Sequence, residues 1–195
     1  MREAEIIRKT GETDIRVRLE LDGSGKCAVD TGVGFLNHML ELFARHGRFD
    51  LEVSCRGDTW VDDHHSVEDI GIALGQAFDR ALGEKKGIRR YGQRLLPMDE
   101  TLILSAVDLS GRSYLGYELE IPAEKVGTFD TELGEEFFLG FVRNAKCTLH
   151  IRQMAGKNSH HILEGTFKSV ARALKEAVEV DPALQGEIPS TKGIL

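Results

Sequence analysis

The chain has 195 residues, 41% of them hydrophobic and 29% charged, with only 4 prolines, enough to bury one core or two small ones side by side. This excludes a collagen, a low-complexity disordered chain and a disulfide scaffold; the 32 Asp+Glu against 25 Lys+Arg leave a net charge of −7, so neither nucleic acid nor membrane is an expected partner. Cys27, Cys55 and Cys147 lack a C-x-x-C spacing and read as reduced thiols of a cytoplasmic protein, the start Met1-Arg2-Glu3-Ala4-Glu5 has no signal-peptide core, and no run approaches the roughly 18 apolar residues of a membrane span.

The first element is a strand, with Ile15, Val17, Leu19 and Leu21 alternating with polar residues. Asp22-Gly23-Ser24-Gly25 then predicts a hairpin turn into a second strand from Lys26 to Thr31. Phe35, Leu36, Met39, Leu40, Leu42 and Phe43 hold a helical spacing that stops at Gly47, a candidate left-handed C-terminal residue, and Phe49, Leu51 and Val53 alternate as a strand. From Val61 to Leu82 the apolar set Val67, Ile70, Ala73, Leu74, Ala77, Phe78 and Leu82 keeps a 3.6-residue period up to Gly83.

The basic stretch Glu84 to Gly92 reads as a connector, followed by strands from Thr101 to Asp108 and Ser113 to Ile121 joined through Ser110-Gly111-Arg112. A helix is predicted over Thr131 to Asn144, a strand over Lys146 to Met154 and a long amphipathic helix over Ser159 to Val180. The tail, with Pro182 and Pro189, is expected to be irregular.

The second half repeats the first. An offset of 98 pairs Phe43 with Phe141, Leu51 with Leu149 and Val53 with Ile151, and an offset of 96 pairs His64-His65 and Glu68 with His160-His161 and Glu164. The chain is therefore read as α+β and internally duplicated, with halves at 1–88 and 89–180 and a tail at 181–195.

Successive helix residues point about 100° apart, so adjacent histidines are poorly placed to grip one ion. Each H-H-x-x-E is better read as serving two metals, with Glu68 paired either to His64 at i, i+4 or to His65 at i, i+3; the spacing leaves both open. Imidazole with carboxylate and no thiolate suits Mn, Fe, Co, Ni or Zn and argues against a structural zinc site. The same segments also offer helix caps, Asp62 or Asp63 in one half and Ser159 in the other. His38 lies 26 residues before His64, and the corresponding position 24 before His160 is Glu136; both are candidate further ligands, whereas His46 and His150 read as structural.

Phe35-Leu36-Asn37-His38-Met39-Leu40, Asp62 to Asp69, Asp108-Leu109-Ser110-Gly111-Arg112, Ser159 to Glu164 and the tail segment Ile188-Pro189-Ser190-Thr191-Lys192-Gly193 together resemble the imidazoleglycerol-phosphate dehydratase family of histidine biosynthesis. The resemblance implies two similar halves, each a β-sheet packed on two helices through a left-handed βαβ connection, with the helices of the halves packed together. It further implies a homo-oligomeric shell of about 24 subunits with two Mn2+ per active site at subunit interfaces, held by His38, His64, His65, Glu68, Glu136, His160, His161 and Glu164.

The implied reaction removes water from imidazole glycerol phosphate to give imidazole acetol phosphate. The departing proton sits on a carbon that is not acidic; metals on both ring nitrogens favour imidazolate, which expels the hydroxyl as a diazafulvene forms. Glu68 or Glu164 is the candidate base, and Glu12, matching a family glutamate, orients substrate or handles the leaving hydroxyl. Arg90, Arg112, Lys168, Ser190 and Lys192 match the family's phosphate-binding residues, and the tail is expected to order over substrate. Glu136 stands where some members have a histidine, which bears on metal preference, and Leu42 where some have a polar residue. The residues alone also admit a dinuclear metallohydrolase of a phosphate ester, or a non-catalytic metal-binding shell.

Overall fold

The computed structural model describes residues 2–193 and 195; Met1 and Ile194 lie outside the described residues. The first half comprises strands β1 (Glu3–Lys9), β2 (Thr13–Glu20) and β3 (Cys27–Asp30), helix α1 (Gly34–Gly47), strand β4 (Asp50–Gly57) and helix α2 (His64–Leu82). The second comprises β5 (Tyr91–Met98), β6 (Thr101–Asp108), β7 (Tyr114–Glu118), the two-residue strands β8 (Lys125–Val126) and β9 (Phe129–Asp130), α3 (Leu133–Ala145), β10 (Thr148–Ala155) and α4 (Ser159–Val178). The tail carries one 3-10 turn at Pro182–Leu184. Among the described residues, no helix is long and apolar enough to cross a membrane.

The two sheets share one topology, β1-β2-β4-β3 and β5-β6-β10-β7. In both, the third strand runs parallel to the strand that follows the next helix. The hairpin expected at Asp22–Gly25 does not form, because β4 lies between β2 and β3. Instead the N–H groups of Ser24, Gly25 and Lys26 converge on one oxygen of Asp50 at 2.7, 2.9 and 2.9 Å. The loop thus wraps the first residue of β4 and delivers β3 to its far edge. Likewise β6 and β7 are separated by β10.

Alternation places Thr13, Ile15, Val17 and Leu19 of β2 and Leu51, Val53 and Cys55 of β4 inward, with Val17 opposite Val53 and Leu19 opposite Leu51. Strands β1 and β5, not predicted, bury only Ala4 and Ile6 and only Gly92 and Leu96. At the end of α1 the left-handed residue is Arg48, at φ 54°, rather than Gly47; its counterpart after α3, Lys146, is at φ 52°. Gly47 is instead required by contact, since a Cβ there would lie 2.4 Å from the Phe49 ring.

The helices lie between the sheets and pair across the halves, α1 on α4 and α2 on α3. This exchange of partners is what a pseudo-twofold axis produces. Phe43 and Phe141, which the repeat pairs with each other, touch with ring centroids 6.4 Å apart and so straddle that axis. Phe49 and Phe78 complete the aromatic cluster, in which each fully buried ring stabilises by about 1.5–3 kcal/mol.

Candidate metal centre

The two His-His-x-x-Glu segments open α2 and α4. At α4, Asn158 is the cap, its side chain accepting from the N–H groups of His160 and His161 at 3.0 and 3.2 Å. Ser159, expected in that role, accepts instead from the Ala123 N–H at 3.0 Å. At α2, Asp62 accepts from the His64 N–H at 2.9 Å, while the Asp63 side chain makes no capping bond.

Within each pair the imidazoles diverge. The ring planes of His64 and His65 are 82° apart and those of His160 and His161 are 83° apart. The first histidine of each pair faces its glutamate one turn on: His160 Nε2 lies 2.9 Å from Glu164 Oε2, and His64 Nε2 lies 3.7 Å from Glu68 Oε2. The i, i+4 pairing is therefore the one adopted.

Helix α1 adds His38, whose Nε2 is 3.3 Å from the same Glu164 oxygen. The donor atoms of His38, His160 and Glu164 all lie within 4.8 Å of one another, the only group of three or more such donors among the described residues. The other Glu164 oxygen is paired with Lys168. Burial pushes the Glu164 carboxyl up, but the bonds from Lys168 and His160 outweigh it and hold the group below its ordinary value, hence ionised. Two imidazoles and a carboxylate oxygen fit a borderline divalent cation. In the other half His64 and Glu68 form only a pair. The half-buried Glu136 sits one turn before Gly140, whose backbone packs against the Glu68 carbonyl, and so on the α3 face turned to α2.

The second histidine of each pair meets carboxylates of which the sequence points only to Glu12. His65 Nδ1 is 3.0 Å from Asp58 and its Nε2 is 3.7 Å from Glu12. His161 Nδ1 is 2.8 Å from Glu100 and its Nε2 is 3.9 Å from Asp99. The hydrogen bonds to Asp58 and to Glu100 raise both histidines above the usual imidazole range, and the bond to His161 is the largest cause that holds Glu100 down to about 2. No spacing rule points to Asp58 or Glu100, which reach their histidines from loops.

Of the expected phosphate ligands, Arg90 is held through three of its five N–H groups. It donates through Nε and Nη2 to Asp108 at 2.7 and 3.2 Å and through Nη1 to the Pro189 carbonyl at 2.8 Å. Arg112 is exposed, 4.0 Å from the same Asp108. The Ser190 hydroxyl accepts from the Lys192 N–H at 3.2 Å, turning the tail. Arg90, Arg112 and the tail thus converge around Asp108, whereas Lys168 stands with Glu164. Leu42 shares an open groove with His38, Lys26 and Arg45. His46 accepts from Arg172 at 3.4 Å, and the His150 ring lies tilted by 38° against Tyr114 with centroids 5.2 Å apart.

Comparison with known proteins adds an independent line. A model of the family described as imidazoleglycerol-phosphate dehydratase matches residues 31–174. The chain is 59% identical over 194 residues to the protein of that name from Desulforamulus reducens, covering 100% of this chain and 98% of the relative. It is 57% identical over 194 residues to that of Prochlorococcus marinus strain NATL1A, covering 100% and 96%. Its fold is similar to the crystal structure of the Staphylococcus aureus enzyme, with TM-score 0.84 and 43% identity over 92% of this chain and 99% of that one. The Pyrococcus furiosus structure gives TM-score 0.84 and 35% identity over 97% and 100%.

Proposed function

The chain belongs to the imidazoleglycerol-phosphate dehydratase family, and on that premise we propose how its residues carry out the reaction. It is a hydro-lyase of histidine biosynthesis that removes water from imidazoleglycerol phosphate. The observation that carries the local reading is the convergence of His38, His160 and Glu164. With His64, His65, Glu68, Glu136 and His161, these residues would hold two Mn2+ per active site, supplying Lewis acidity toward the substrate's ring nitrogens.

The two histidines of each pair diverge and do not share one ion, which suits sites completed by other copies in a homo-oligomeric shell. Its free thiols, Cys27, Cys55 and Cys147, suit the reducing cytoplasm. Arg90 and Arg112, gathered by Asp108, are the natural anchor for the substrate phosphate with Ser190 and Lys192, and Lys168, which stands apart beside Glu164, would join them from another copy.

Among the three glutamates, Glu164 has both oxygens occupied, by Lys168 on one side and His38 and His160 on the other. Proton movement therefore falls to Glu68 or to the exposed Glu12, whose Oε1 stands 3.7 Å from His65. The test is to mix purified protein, Mn2+ and imidazoleglycerol phosphate and follow the ketone product. Release of inorganic phosphate would instead mark a hydrolase, and full metal occupancy without turnover a non-catalytic shell.

A further inference from the structure

We propose that Asp58 and Glu100 are positioning residues that fix the tautomer and ring direction of His65 and His161, so that each presents Nε2 as a metal donor. The proposal rests on the metal-binding reading above. Each carboxylate faces Nδ1 within hydrogen-bonding distance, 3.0 Å for Asp58 and 2.8 Å for Glu100. An ionised carboxylate only accepts, so Nδ1 carries the proton and the lone pair is left on Nε2. Metal-bound imidazoles are ordinarily oriented in this way by a partner on the other ring nitrogen.

Two observations separate this from a purely structural ion pair. Asp58 is 7% exposed, and its Oδ1 has no hydrogen-bond partner among the described residues. Its side chain bonds only His65 there. A buried carboxylate whose one protein partner is an imidazole is directed at that ring and is not part of a wider ion-pair network.

The second observation comes from the duplication. Asp58 comes from the loop between β4 and α2, Glu100 from the turn between β5 and β6. The repeat counterpart of Glu100 is Glu12, which likewise precedes the second strand of its half but stands at the other nitrogen of His65, so the shared Nδ1 contact was not simply copied with the ancestral unit. Two halves have reached one arrangement from different segments, which points to a requirement on the imidazole itself.

The test strips the full-length protein of metal and titrates it with Mn2+, comparing wild type, Asp58→Asn and His65→Ala. Asp58→Asn is expected to weaken Mn2+ binding by about 10- to 100-fold. In 15N-labelled metal-free protein, the His65 ring signals are expected to move from the Nδ1–H tautomer toward a mixture. Wild-type affinity and ring shifts in Asp58→Asn, alongside lost binding in His65→Ala, overturn the proposal, even if the variant melts earlier. Wild-type Mn2+ binding in His65→Ala overturns the metal reading beneath it. Should Asp58→Asn not fold, Glu100→Gln gives the same comparison against His161→Ala, since the glutamine oxygen can still accept from the Asn158 N–H now bonded to Glu100 at 2.9 Å.

Discussion

The backbone of Gly71 in α2 meets the carbonyl of Phe137 in α3 so closely that a Cβ on Gly71 would lie 2.4 Å from that oxygen. One turn on, Gly75 stands in the same relation to the Phe141 carbonyl, also at 2.4 Å. These contacts let the α2–α3 pair close across the pseudo-twofold axis. Alanine at either position raises helix propensity but forces the helices apart. Gly71→Ala and Gly75→Ala are each expected to destabilise by about 1–3 kcal/mol, the usual range for an overpacked core, read as a lower midpoint in chemical denaturation.

Asp50 gives a pH-dependent prediction. Partial burial pushes its carboxyl up, but the N–H groups of Lys26, Ser24 and Gly25 outweigh that and hold it below its ordinary value of 3.8. A depressed folded value means the group stabilises fully above 3.8 and loses that contribution as pH falls through the folded value. Asp50→Asn should lower unfolding free energy near neutral pH by about 1–2 kcal/mol, from weakened bonds to a charged acceptor. The gap between variant and wild type should close in acid; a gap independent of pH would contradict the assignment.

At the metal centre, Glu164→Gln removes the only anionic donor of the His38–His160–Glu164 group. Mn2+ affinity and turnover are both expected to fall by more than about 100-fold, beyond the range for outer partners of a ligand. Metal analysis of the dialysed variant and its kcat check this.

Deletion from Pro189 onward removes the carbonyl that Arg90 bonds at 2.8 Å, along with Ser190 and Lys192. The expected result is a KM raised by about tenfold or more, 1.4 kcal/mol per factor of ten. Substrate affinity unchanged in the truncated protein would show that the tail takes no part in binding.

If metals bridge copies, chelation should dissociate the assembly. Size-exclusion chromatography with and without a chelator is expected to show smaller species that reassemble on adding Mn2+.

The helices were legible because their apolar period is long: Val67, Ile70, Ala73, Leu74, Ala77 and Phe78 are all fully buried. The repeat was legible for the same reason, and it carried the H-H-x-x-E pair with it. Strand order was not. Asp22-Gly23-Ser24-Gly25 has the composition of a hairpin turn, and nothing local reveals that the N–H groups of Ser24, Gly25 and the following Lys26 bind Asp50, 24 to 26 residues on. Strands β1 and β5 have too few inward apolar residues to alternate visibly.

At the site, periodicity could not choose between i, i+3 and i, i+4 because both lie on one helix face. The roles of Asp58, Glu100 and Asp108 depend on tertiary approach, across 61 residues in the case of Glu100 and His161.

The Lys168–Glu164 pair fixes the electrical character of its centre. The Lys168 ammonium group balances the charge of the Glu164 carboxylate and has taken one of the acid's two oxygens. Glu164 can then offer a cation only one arm. A divalent ion seated beside it would have part of its double charge left unmatched by this acid. That charge is left to be answered by what arrives from solution, and an anionic ester is well suited to answer it.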